Sequence, residues 1–274
     1  MIRSVLAAVL MAAPLAATAQ PPAPAPAAPP APASARPWQV DYGEYYCSMI
    51  RKPEAGRSFA TAFVSIPGAS RMHIALVPDV TNGAPANVSD VVLMPAGTSF
   101  HIDRSFEQTR LTPIQRLEGL PADFADQLAG AEALELRGGG QVRGRIPLAG
   151  VRDALAVHRR CMSEVARDWG VDEAALAALR RRPEGGLGFT SNDFPPELLT
   201  SASQARVVLR LDVSAQGRVT GCVPVASSGS PSIDRRACAV ALERARLTPA
   251  LDAAGAPAAA RVVYMVRFQP WATD

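Results

Sequence analysis

Lysine is all but missing. Lys52 is the only one among 28 basic residues, the rest being arginine, which reads as codon bias rather than chemistry. Histidine is scarce (His73, His101 and His158) and aromatic residues make up only 5%. No two of the four cysteines are close enough for a CxxC motif, and the histidines are scattered, so neither a zinc site nor any other metal or small-molecule cofactor is expected. GxSxG, the P-loop, HExxH and a GxGxxG between strand and helix are all lacking. Charge of one sign is lacking too. The balance of 28 basic to 25 acidic residues gives +3, and the longest basic run is Arg180–Arg182. A nucleic-acid binder carries a strongly basic face, so nucleic acid is not an expected partner. Beyond the N-terminus, no apolar run approaches the roughly 20 residues of a membrane span.

The N-terminus carries Arg3, an apolar stretch Val5–Leu15 broken by Pro14, and Ala17-Thr18-Ala19 before Gln20. This is the pattern of a signal peptide, residues 1–19, cleaved after Ala19 to give a periplasmic protein. An inner-membrane anchor facing the periplasm is the alternative. Val5–Ala19 would be about 22 Å long as a helix against a bilayer core of about 30 Å. Residues 20–37 hold eight prolines and read as an extended linker.

Residues 38–170 read as an α+β domain, β-rich with a C-terminal helix. Strands are expected over 38–49, 58–66, 72–77, 88–94 and 99–102, with a short helix over 121–128. A hairpin is expected at Gly138-Gly139-Gly140. Val151, Leu155, His158, Met162, Val165 and Trp169 form a helical stripe, on which His158 reads as a packed histidine, not a ligand. Glu132 and Glu135 point to opposite faces of a strand and make no acid–base pair. Ile146-Pro147-Leu148-Ala149-Gly150-Val151, followed by Ala154-Leu155, resembles fragments of the invasion-associated locus B family, which implies a β-rich exported module. Residues 171–191 read as a linker with a short helix.

In the C-terminal segment, Val207, Leu209, Leu211 and Val213 alternate with Arg206, Arg210 and Asp212, a half-buried strand. Ser214–Gly217 supplies a turn. Val219–Ala226 returns as a strand whose Pro224 suits an edge. Ser230 or Ser232 caps a helix with Ile233, Ala237, Val240, Ala241 and Leu247 as its stripe, stopped by Thr248-Pro249. Arg261–Phe268 is the last strand. The order β-β-α-β predicts a three-stranded antiparallel sheet with one helix on one face.

Phe194-Pro195, Gly217-Arg218-Val219, Ser227-Ser228-Gly229, Ile233-Asp234, Pro249-Ala250, Gly255-Ala256-Pro257 and Val266-Arg267-Phe268 occur in an order and spacing that resemble the C-terminal domain of TonB-family proteins, here residues 192–271. The resemblance implies a non-enzymatic periplasmic module that contacts outer-membrane receptors, or other envelope proteins, through its sheet edge. A homodimer is a further partner class. This sequence departs from the family in three places: the anchor is lost if the signal is cleaved, Leu247 stands where an aromatic is usual, and Phe194-Pro195-Pro196 replaces Tyr-Pro. A structural or peptidoglycan-associated envelope protein is the alternative function, followed by a hydrolase housed in residues 38–170.

Within this scheme Cys222 pairs with Cys238 and Cys47 with Cys161, each pair inside one proposed domain. The expected partner-binding edge is the last strand: Arg261, Val262, Val263, Tyr264, Met265, Val266 and Arg267. It contains no proline, and Arg261 and Arg267 would flank an incoming acidic or polar peptide.

Overall fold

The computed structural model describes residues 37–52, 59–78, 85, 87–108, 114–196, 198 and 204–268. The expected signal peptide, nearly all of the Pro-rich stretch and the tail Gln269–Asp274 lie outside the described residues. The fold is mixed α and β and strand-rich.

Two antiparallel sheets build the first part. β1 (Trp38–Tyr42), β2 (Cys47–Arg51), β3 (Phe59–Ser65), β4 (Arg71–Pro78), β7 (Arg104–Gln108) and β8 (Ile114–Pro121) form one, in the order β1-β2-β3-β4-β8-β7. β5 (Asp90–Met94), β6 (Thr98–His101), β9 (Ala133–Gly138) and β10 (Gln141–Pro147) form the other, in the order β10-β9-β5-β6. Their apolar residues share one core. Phe63, Ile74, Leu76 and Leu117 come from the first sheet, and Val91, Leu93, Leu134 and Leu136 from the second. Phe124 of the short α1 (Phe124–Gln127) fills it from the side, with its ring edge-on to Phe100 at 4.9 Å.

The strands of the sequence reading are present with shifted ends, and the expected 38–49 strand is two strands around a turn. β7 and β8 were not anticipated. In β8 only Leu117 and Leu120 are fully buried, three residues apart, because its pairing with β4 slips register between Met72 and His73. That slip erases the period of two on which a strand is recognised.

Helix α2 (Val151–Asp168) packs against β1 and β2. Its buried face runs through Val151, Ala154, Leu155, His158 and Cys161, turned slightly from the expected stripe, and Met162 is only half-buried. The Cys47–Cys161 disulfide spans the contact with a Cα separation of 6.1 Å. His158 is 3% exposed; burial pushes its pKa down, against a hydrogen bond to the Cys47 backbone, as befits a packed histidine.

The C-terminal sheet consists of β11 (Ala205–Val213), β12 (Val219–Ala226) and β15 (Ala260–Phe268), in the order β12-β11-β15. Between β12 and β15 come α4 (Pro231–Arg244) and a two-residue ladder of β13 (Ala250–Leu251) and β14 (Pro257–Ala258), which the simple strand–strand–helix–strand reading omits. α3 is Glu173–Ala177. Val207, Leu209, Leu211, Val262 and Val266 pack with Ile233, Ala237 and Ala241 of α4. The Cys222–Cys238 disulfide ties β12 to α4, Cα to Cα 5.6 Å. Both disulfides are those expected.

Several local expectations need correction. Ser230 precedes α4, but its side chain makes no cap bond. Asp234, within the helix, instead ties down the preceding turn, accepting from the Ser227 hydroxyl at 2.5 Å and the Ser228 amide at 2.9 Å. The helix ends at Arg244, not at Thr248-Pro249. Backbone bonds draw the following residues away: the Leu247 N–H donates to the Gly217 carbonyl at 2.9 Å and the Thr248 N–H to that of Glu184 at 2.7 Å. Gly217, at φ +75, allows this, since a Cβ there would overlap the Leu247 oxygen. Leu247 is buried in the core beyond the helix rather than on it.

The largest departure concerns the second face of the C-terminal sheet. It is covered, not open. Val208 and Val263 are each 1% exposed, and they share a cluster with Tyr45, Ile66, Ala69, Trp169 and Val171. The sheet thus lies between α4 and the first part of the chain. Residues 171–191 are bound into this arrangement and do not run as a free tether. Leu176 and Leu187 are buried in the same cluster. Arg182 pairs with Glu173 at 3.3 Å and donates to the Ala69 carbonyl at 2.8 Å.

Candidate partner-binding site at the β15 edge

Residues across β11 and β15 pair without interruption from Ala205–Phe268 to Val213–Ala260. In an antiparallel ladder alternate residues turn their N–H and C=O groups away from the partner. Val263 N–H donates outward, to the Gly68 carbonyl at 2.9 Å. Arg261, Val263, Met265 and Arg267 therefore form the outward set. On the far side of the sheet, Pro224 lies opposite Leu209, whose own polar groups serve β15, so the donor that proline lacks falls on the open edge of β12.

The β15 edge is the wall of a cleft, not a free rim. The cleft holds about 540 Å³ and is lined by Ile66, Met72, His73, Val263, Tyr264 and Met265. Beside the cleft Gly68 sits against Val263. Gly68 has φ +78, and a Cβ there would lie 2.8 Å from Val263 Cγ2. The Gly68 amide donates to Glu173 at 2.5 Å, so both polar groups of this turn are engaged. Arg71 lies on the rim, bound to Asp103 at 3.2 Å and Glu184 at 3.1 Å.

Burial governs the titrating groups. Burial, with help from the Arg116 and Arg267 charges, holds His73 down at about 3, so its ring is neutral. Arg116 Nη1 lies 3.2 Å from His73 Nε2. A guanidinium can only donate, so Nε2 accepts and Nδ1 carries the proton. Burial, and then Glu184, push the Tyr264 phenol up to about 12, and its hydroxyl lies 3.5 Å from the Pro183 carbonyl.

The seven expected edge residues divide. Val263, Tyr264 and Met265 line the cleft. Val262 and Val266 face α4 and are buried. Arg261 is engaged by Asp212 at 2.6 Å and the Gly170 carbonyl at 2.9 Å. Arg267 is half-buried on the face toward the first part of the chain. Sequence reasoning missed Gly68, Arg71, His73 and Arg116. The gap between the expected strands 58–66 and 72–77 implied a connection, but nothing local shows that it meets a strand almost 200 residues later.

Chemically, beyond the Val263 N–H already bound to Gly68, the site offers outward backbone donors and acceptors beside apolar Ile66, Met72 and Val263 and charged Arg71, Asp103, Glu118 and Glu184. Among the described residues no three His, Cys, Asp or Glu side chains converge as metal ligands would. Also among them, no helix is long and apolar enough to cross a membrane.

Residues 190–270 match the family model described as the Gram-negative bacterial TonB protein C-terminal. No curated protein and no solved structure matches the chain significantly. Domains of the TonB C-terminal type are non-enzymatic modules of the cell envelope that interact with outer-membrane receptors, and residues 190–270 are similar to them.

Proposed function

We propose that this chain is a periplasmic peptide-docking protein. An extended segment of an outer-membrane receptor, or of another envelope protein, adds as a strand to the outer edge of β15 inside the cleft, as a step in TonB-dependent transport. Export with cleavage after Ala19 and the division into a 38–170 domain and a 192–271 domain belong to the same reading. The observation that carries it is the outward-facing backbone of β15 opening onto the cleft lined by Val263, Tyr264 and Met265. Five hydrogen bonds at about 1 kcal/mol each, less the cost of association, place the affinity at roughly micromolar or weaker.

Met265→Pro is the test. The Met265 N–H belongs to the outward set, so proline there removes a donor from the cleft and leaves the β11 ladder whole. The variant should keep its melting temperature within a few degrees and lose binding to receptor-derived peptides in calorimetry. Equal binding by the variant and the unaltered chain would exclude this edge.

A further inference from the structure

Three guanidinium groups meet where the first part of the chain packs on the C-terminal sheet. Arg206 and Arg267 stand directly opposite one another across β11 and β15. Like charges in that position repel. Arg116 of β8 comes in from the other side, with one nitrogen on His73. Arg206 is held by the ring of Tyr45, 4.0 Å from its centroid. Burial, and then the charge of Arg267, hold Arg116 down at about 10, and burial also lowers Arg267. Among the described residues, Glu118 is the carboxylate that acts on both. The Nε atoms of Arg116 and Arg267 are buried and have no hydrogen-bond partner.

Such a cluster is unfavourable by itself. Glu118 alone leaves these desolvated guanidiniums with excess positive charge and donors left over, which a further anion would satisfy. Position says which one. Arg267 is in the outward set of β15, so a strand added to that edge places one residue opposite it. The two Cβ atoms would stand about 5 Å apart on the face where Arg116 and Arg206 lie.

The geometry points to an acidic residue as the recognition element of the incoming segment: an Asp or Glu opposite Arg267, its carboxylate held by Arg267 and Arg116. This rests on the strand-addition reading above and adds the partner's chemistry to it. The arginine cluster is built by both parts of the chain, so the selectivity belongs to their assembly and not to the C-terminal sheet alone.

The experiment uses the exported full chain and labelled ten-residue peptides of alternating Val and Thr. One position in turn is replaced by Glu, Gln or Lys, and fluorescence anisotropy reads the binding. At one position the Glu peptide should bind about tenfold more tightly than the Gln peptide, with Lys weakest. In Arg267→Gln and in Arg116→Gln that preference should shrink to about twofold. If Glu and Gln peptides bind alike at every position, the acidic preference is overturned and strand addition survives. If no peptide binds, both fall. A second readout separates binding from architecture. Without peptide, Arg267→Gln should melt at the same temperature or a few degrees higher, because it relieves repulsion. A clearly lower melting temperature would mean that the arginines hold the seam together, and would overturn the proposal.

Discussion

Asp193 is 3% exposed and lies where the chain enters the C-terminal domain. Burial raises its pKa, but the Thr190 amide, Arg244, the Thr190 hydroxyl and Arg236 together outweigh it and hold the carboxyl well below the usual carboxylate range. Arg244 reaches it at 2.8 Å and Arg236 at 2.6 Å. A depressed folded-state pKa stabilises fully above the unfolded value of about 4, and that contribution is lost as pH falls below it. Asp193→Asn should therefore destabilise the chain by about 2 kcal/mol at neutral pH. Urea unfolding should show the gap to the unaltered protein narrowing as pH falls from about 5 to 3. A gap that stays constant with pH would contradict the assignment. Gly68 is sensitive for a different reason. Its φ of +78 and its closeness to Val263 leave no room for a methyl group, so Gly68→Ala should cost about 1–3 kcal/mol, seen as a lower melting temperature. An unchanged melting curve would show that the seam yields more easily than its packing implies.

Elements are joined here by covalent ties as well as by packing. The Cys222–Cys238 bond closes a 16-residue separation and the Cys47–Cys161 bond one of 114. In the chain-entropy model these loops correspond to about 3 and 4.7 kcal/mol. Cys222→Ser with Cys238→Ser should lower stability by about 3 kcal/mol in denaturant unfolding, and non-reducing peptide mapping should recover only the two observed pairings. A Cys47–Cys222 or Cys47–Cys238 peptide would refute them. Much at this scale was readable in advance. β11 was clear because four valines and leucines alternate with polar residues. Pro224 correctly marked an edge, because β12 is the outer strand of its sheet. The end of α4 was misread because the signal taken for it, Thr248-Pro249, is local. The actual stop is imposed by docking of Leu247 and Thr248 onto Gly217 and Glu184.

For the molecule as a whole, the deciding feature is that the first part of the chain covers one face of the C-terminal sheet and half-closes its β15 edge. Hydrogen exchange can see this. The Val263 amide, donated to Gly68, should exchange slowly in the free protein even though it lies on a sheet edge. The Met265 amide should become protected only when peptide is added. Fast exchange at Val263 would show that the seam opens readily.

Alternation, turn residues and the spacing of short motifs are properties of neighbours along the chain. They were therefore enough to determine the strands of the C-terminal sheet, its helix, its family and, with two compact units assumed, the pairing of the cysteines. The cleft, the neutral His73, the engagement of Arg261 by Asp212 and the meeting of Arg116 with Arg267 depend on which surfaces pack. Those residues lie up to about 200 positions apart, and no periodicity links them. Only the tertiary structure decided them, because burial and charge proximity come into being when the two parts of the chain close on each other.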